Sequence, residues 1–210
     1  MRAMQLKKAL LGVGVLLLAA SAPHAEDTAP QRADAQHAFD FDLGTWKTHS
    51  RRLLKPLTGS TSWVEMDGVT VVKPVWGGKA NLAELEADGP QGHLELLSLR
   101  LYDPTARQWN LNFATGRVGI LNVAGDAQSV PMIGRFVGKR GEFYDQEPYD
   151  GRTIWVRFTI EPLSATTAHS EQAFSDDNGR TWEVNWINDY TRLPDQPSRQ
   201  TAGTAGKPTG

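Results

Sequence analysis

The chain has 210 residues, with 22 Lys and Arg against 24 Asp and Glu, and no cysteine. That length suits one domain with tails. The lack of Cys excludes disulfides, thiolate-held zinc or iron–sulfur centres, a cysteine nucleophile and a lipidated cysteine anchor, and the near-neutral charge leaves no basic footprint for nucleic acid.

Taken from the N-terminus, residues 1–8 carry Arg2, Lys7 and Lys8 and no acid, and residues 9–20 (ALLGVGVLLLAA) are an unbroken apolar and glycine run. Small and polar residues (SAPHAED) follow. A positive start, a short apolar stretch and small residues at a cut form the layout of a secretory signal. The run is short of the roughly 20 residues a spanning helix needs. Residues 1–25 are therefore expected to be a signal peptide, with the periplasm or the medium as destination and no stable membrane insertion afterwards. Cuts after Ala22 and after Ala25 both leave Pro23 near the site. Removal of 1–25 leaves 19 basic against 24 acidic residues. Residues 26–36 form a polar leader. From Pro194 onward the chain has no large apolar residue, so 193–210 is expected to be a disordered tail, and the folded domain spans 37–192.

Within that domain, alternation with a period of two dominates. Residues 153–160 (TIWVRFTI) place Ile154, Val156, Phe158 and Ile160 on one face, residues 109–113 alternate Trp109, Leu111 and Phe113, and residues 181–190 line up Trp182, Val184, Trp186 and Tyr190. Half-buried antiparallel strands require this pattern. Further strands are predicted at 45–54, 61–66, 69–75, 94–102, 133–138, 141–146 and 166–175. Turns are predicted at Asp67-Gly68, Gly77-Gly78, Asp103-Pro104-Thr105, Asp150-Gly151 and 176–179, and one short helical stretch around Ala35 to Leu43. Many short strands joined by tight turns argue an all-β closed barrel or sandwich.

The domain opens on 39–46 (FDFDLGTW), in which Gly44-Thr45-Trp46 is a Gly-x-Trp entering the first strand. With LRLYDP (99–104), GRFVGKRGEFY (134–144), VRFTI (156–160) and EQAFSDDNGRTWEVNWINDYTR (171–192), the chain resembles a family of bacterial lipocalin-like proteins of the calycin superfamily that carries no assigned activity. The resemblance implies a closed antiparallel lipocalin-like β-barrel with a cavity. It also implies that Trp46 closes one barrel end against a basic residue near the last strand, and Arg192 is the positional match.

Ser175-Asp176-Asp177-Asn178-Gly179-Arg180-Thr181-Trp182 matches the Asp-box pattern of glycan-processing propellers. A propeller needs several copies, and one copy reads as a stable hairpin turn. Four histidines follow the signal: His37, His49, His93 and His169. None stands at metal-ligand spacing, so no metal is expected. His169 and Glu171, two apart, share a strand face, which the alternation rule reads as an outer, solvated face. If the barrel held haem, His169 would be the first ligand to test and His93 the second; otherwise no cofactor is expected. Arg100 and Arg157 sit among apolar neighbours, and inside a barrel each would need a carboxylate or an anionic ligand.

The leading expectation is an exported binding barrel that takes a small, largely apolar ligand, with Arg100, Arg157, Glu171 and Trp186 as candidate contacts. The alternatives are a barrel lyase, isomerase or hydrolase using Arg157 with Glu171 or His169, a haem-binding barrel, and a filled-barrel envelope interaction protein. A binder is expected to have a sizeable apolar cavity with few perturbed carboxylates; an enzyme, a cavity where Arg, carboxylate or His groups converge.

Overall fold

The computed structural model describes residues 35–124 and 127–194; the expected signal peptide, most of the leader and most of the tail lie outside the described residues. The strands are β1 (Gly44–Leu53), β2 (Trp63–Val75), β3 (Ala80–Gly89), β4 (Gly92–Asp103), β5 (Gln108–Thr115), β6 (Val123–Ala124), β7 (Ala127–Gln128), β8 (Met132–Val137), β9 (Arg140–Tyr149), β10 (Arg152–Pro162), β11 (Thr167–Ser175) and β12 (Glu183–Arg192). Ten of them close in the order β1-β12-β11-β10-β9-β8-β5-β4-β3-β2, and β6 and β7 pair by themselves in the loop between β5 and β8. Every pairing is antiparallel. Closure leaves no free sheet edge. Among the described residues no helix is long and apolar enough to cross a membrane.

Two strands of the barrel depart from the sequence reading, and the short β6–β7 pair was not expected either. Residues 80–89 form β3, where no strand was expected, because ANLAELEADG is rich in Ala, Leu and Glu, which favour helix over strand. Its alternation is nevertheless clean: Ala83, Leu85 and Ala87 are buried, whereas Glu84, Glu86 and Asp88 are exposed. The expected turn at Asp67-Gly68 is absent, and β2 runs straight through it. Gly68 is needed there for close approach rather than for a turn: a Cβ on it would lie 2.0 Å from the Glu86 carbonyl oxygen of β3.

One end of the barrel is plugged. The segment before β1, with a 3-10 turn over Asp40–Asp42, inserts Phe39 against Trp109, Phe136 and Phe143, with ring centroids 4.9, 4.8 and 5.7 Å away. Trp109 Nε1 donates to the Ala35 carbonyl at 3.0 Å, and Trp46 Nε1 donates to the Asp42 carbonyl at 2.7 Å. Asp42 and Arg100, 1% and 6% exposed, form an ion pair at 2.5 Å inside this plug.

The Gly-x-Trp geometry has a direct physical reading. Trp46 lies opposite Arg192 in the β1–β12 register, and the guanidinium carbon sits 4.0 Å from the Trp46 ring centroid. Arg192 also donates to the carbonyls of Leu43 at 2.6 Å and Phe41 at 2.5 Å. Gly44 has φ +118°, and a Cβ there would stand 2.8 Å from Arg192 Nη1, so the side chain's absence makes room for the guanidinium. A cation over an indole contributes about 0.5–2 kcal/mol, and here it ties the first strand to the last.

Candidate functional site

The end opposite the plug is open, ringed by the β1–β2, β3–β4, β9–β10 and β11–β12 connections. The mouth is a cavity of about 280 Å³ lined by Arg52, Leu54, Pro56, Gln91, Tyr149 and Gln172 among others. Below it lies a chamber of about 130 Å³ lined by Leu96, Phe113, Met132, Glu147, Phe158, Gln172, Trp186 and Asn188. A last compartment of about 50 Å³ shares Leu96, Phe113, Phe158 and Asn188 with the chamber and ends at Ser98, Arg100 and Tyr190. Gln172 is common to mouth and chamber, so the three spaces follow one another down the barrel.

Strand parity decides which side chains enter. On β12 a bulge opposite Gln172 and Ala173 leaves Asn185 as the extra residue, and bulges of this kind re-aim side chains near functional sites. Beyond it along the strand, Trp186 and Asn188 face inward. They belong to a satisfied polar wall built by β1, β11 and β12. Trp186 Nε1 donates to Asn188 Oδ1 at 3.1 Å, and Ser50 Oγ donates to the same oxygen. Asn188 Nδ2 donates to Ser170 Oγ at 3.1 Å, which in turn lies 3.0 Å from the Tyr190 hydroxyl. Burial pushes that phenol up to about 12. Across the chamber the wall is apolar, with Phe113, Phe158, Met132 and Leu96.

Glu147 interrupts this apolar side, with Asp145 beside it on β9. Asp145 and Glu147 share the inward face of β9 with Phe143, and Asp145 is 6% exposed. The register sets Asp145 opposite Val156 and Glu147 opposite Ile154 on β10. Burial pushes Asp145 up to about 8, reinforced by the neighbouring Glu147 charge and a hydrogen bond between the two. Burial also raises Glu147, against the effect of that hydrogen bond. Neither carboxyl forms an ion pair with a Lys, Arg or His among the described residues. The sequence reading missed both. The available signal was parity: in 141–149 (GEFYDQEPY) they alternate in step with Phe143 and Tyr149, but the predicted strand stopped at 146.

The four residues singled out as ligand contacts fall in different places. Trp186 lines the chamber, and the Arg52 guanidinium carbon lies 4.9 Å from its ring centroid. Arg100 points inward and borders the deepest compartment, but its guanidinium is engaged by Asp42 and lies over the Phe39 ring at 4.6 Å. Arg157 and Glu171 correct the expectation: both have outward parity. Arg157 alternates against the inward Val156 and Phe158 and lies over the Trp182 ring at 4.6 Å. Glu171 alternates against the inward Ser170 and Gln172.

His169 is likewise outside, 2.7 Å from Asp189 and 3.3 Å from Glu171. Burial opposes its charge, but those two hydrogen bonds outweigh it and the net shift is upward. The other described histidines also pair with surface carboxylates: His37 with Asp40, His49 with Asp67 and His93 with Asp88. A histidine-ligated haem inside the barrel therefore has no ligand among the described residues. No group of three or more His, Cys, Asp or Glu among them could hold a metal ion.

The Asp-box residues build the β11–β12 turn at the rim of the open end. Asp177 Oδ1 accepts from the Arg180 and Thr181 backbone N–H groups at 3.0 and 2.9 Å, and its Oδ2 from Thr181 Oγ1 at 2.7 Å. The Thr181 bonds lead in holding its carboxyl down to about 2.

No family model and no curated protein matches the chain. Among solved structures it is similar to a de novo designed fluorescence-activating β-barrel, with 10% identity over 74% of this chain and 97% of that one and a TM-score of 0.39. It is also similar to the S-type phycobiliprotein lyase CPES from Guillardia theta, with 10% identity over 75% of this chain and 92% of that one and a TM-score of 0.48. A protein of the DUF3598 family from Nostoc punctiforme PCC 73102 is 6% identical over 76% of this chain and 99% of that one, with a TM-score of 0.25.

Proposed function

We propose that the protein is an exported carrier of the calycin type that holds a small, largely apolar ligand inside the barrel. The observation that carries this reading is the chamber below the mouth, where Leu96, Phe113, Met132, Phe158 and Trp186 supply the apolar wall and Glu147, Gln172 and Asn188 the few polar groups. Pockets that bind small molecules have this composition: mostly apolar, with a handful of placed polar atoms. Size sets the scale of the ligand, since an apolar cavity of about 150 Å³ accommodates benzene. The ten strands exceed the eight of a lipocalin, so the calycin assignment rests on the Gly-x-Trp closure with Arg192. Export rests on the charged and apolar start of the chain.

Titration with hexan-1-ol by isothermal calorimetry tests the carrier reading. Saturable binding of one molecule per chain is expected, and Leu96→Trp, which fills the chamber, should abolish it. Equal heats from both proteins would sink the proposal.

A catalytic reading is favoured by one observation, the perturbed Asp145–Glu147 pair. Acid–base work would fall to these carboxyls rather than to the outward Arg157, Glu171 and His169. It differs from a carrier in consuming its ligand, which product analysis after prolonged incubation detects.

A further inference from the structure

We propose that the Asp145–Glu147 pair is the head-group site of the cavity and receives an organic ammonium, whose alkyl or aryl body lies against Phe113, Phe158 and Trp186. The inference rests on the carrier reading and adds the ligand's chemical class.

The argument starts from what faces the two carboxyls. From β8 comes Met132, from β10 Ile154 and Val156, from β11 Gln172 and Phe174, and from β12 Trp186. The charged or titratable groups nearby are Arg52 and Tyr149 at the mouth and Glu183 on β12. Arg52 is stacked on Trp186, and Glu183 accepts the Leu57 backbone N–H at 2.6 Å. No described cation pairs with Asp145 or Glu147, and Asp145 Oδ1 is buried without a hydrogen-bond partner. Buried polar atoms are nearly always satisfied, so this oxygen is an acceptor with its donor still to come.

The deepest compartment holds another unpartnered polar atom. Ser98, on the other side of the barrel, is 5% exposed, borders the deepest compartment, and its Oγ has no hydrogen-bond partner.

Charge then selects among ligands. An anion would meet two carboxyls. A neutral alcohol would satisfy an acceptor but leave the proton on the pair and gain no charge attraction. An ammonium supplies donors and an opposite charge together, while its apolar body keeps contact with Phe113, Phe158 and Trp186. With only two carboxylates and no third oxygen or nitrogen ligand of the charged kind beside them, a metal ion is less well served than an organic cation. At neutral pH burial keeps one proton on the pair. Capture of the ammonium expels that proton to solvent, so charge is conserved: one cation enters and one proton leaves.

The test is calorimetry on the protein purified after expression of the full chain, titrated with hexylammonium, hexan-1-ol and hexanoate at pH 6, 7 and 8 in two buffers of different ionisation enthalpy. A primary amine stays protonated throughout this range. Hexylammonium is expected to bind at least about tenfold tighter than hexan-1-ol at pH 8 and to weaken by roughly tenfold per pH unit downward, the slope for one released proton. The buffer dependence of its heat should report that proton. Hexan-1-ol should show no such slope, and D145N/E147Q should lose both the preference for the amine over hexan-1-ol and the pH slope. Equal binding of hexylammonium and hexan-1-ol at pH 8, with no proton released, would overturn the ammonium site and leave the carrier reading intact. Failure of all three to bind would remove both.

Discussion

Replacing Asp145 by Asn makes the protein more stable at pH 8, by on the order of 3 kcal/mol, and flattens its stability between pH 5 and 8. The sign follows from linkage. Burial raises the folded-state value of Asp145 to about 8, whereas an unfolded Asp titrates near 3.9. Between those values the folded state holds a proton that the unfolded state has released. Stability therefore falls as pH rises, by about 1.4 kcal/mol per unit for each such proton. Asn keeps a hydrogen-bonding group beside Glu147 and removes the ionisation. The share of the remaining slope that belongs to Glu147 is removed in D145N/E147Q. His169, also shifted upward, contributes stability that is full below the unfolded value near 6.5 and lost above it, so H169Q separates its share. Asp177 acts elsewhere: held down to about 2, it stabilises above the unfolded carboxyl range and loses that effect only as pH falls toward 2. Urea unfolding of the wild type and these variants at pH 5, 6, 7 and 8 measures the contributions of the carboxyl pair and of His169. A wild type as stable at pH 8 as at pH 5 would mean that the carboxyl pair is not buried as described.

Asp42→Ala is expected to cost about 3–5 kcal/mol, because it strands the Arg100 guanidinium, 6% exposed, without its counter-charge. The same change exposes no new surface and removes little volume, so its cost separates charge from packing. Changing both partners to apolar residues, Asp42→Leu with Arg100→Met, should recover most of the loss, since a buried ion pair replaced by packed hydrophobic groups is often neutral. Urea midpoints at constant slope give the comparison. If D42A costs less than about 1 kcal/mol, the plug does not hold Arg100 dry. The pair matters to the cavity as well. Arg100 borders the deepest compartment, and its engagement with Asp42 and Phe39 keeps a free cation out of a chamber that carries carboxyls.

How much of this was legible from the amino-acid sequence differs between scaffold and site. The 153–160 alternation gave β10 because its inward residues are all large and apolar and its outward ones mostly polar. β4 shows why parity is harder elsewhere: Leu97, Leu99 and Leu101 occupy the outer face while Ser98 and Arg100 point inward, so hydrophobicity alone assigns the faces the wrong way round. β3 was hidden by helix-favouring Ala and Glu. The closure of Trp46 against Arg192 could be anticipated only through the resemblance, which implied a basic residue near the last strand packed on the Gly-x-Trp indole. The chamber could not, because its polar members come from β9, β11 and β12, and their convergence depends on closure of the ten-stranded sheet and on the bulge at Asn185. Arg157 and Glu171 were attractive for their chemistry and lie outside for their parity; Asp145 and Glu147 were not singled out and lie inside for the same reason.

The central claim is that this barrel carries a small ligand, and native mass spectrometry of protein exported to the periplasm tests it most directly, against the same sample denatured. The account predicts one extra mass per chain in the native spectrum, lost on denaturation and absent from Leu96→Trp, with the composition of a small organic amine. A bare chain mass in the native spectrum, unchanged after incubation with periplasmic extract and with hexylammonium, would contradict it.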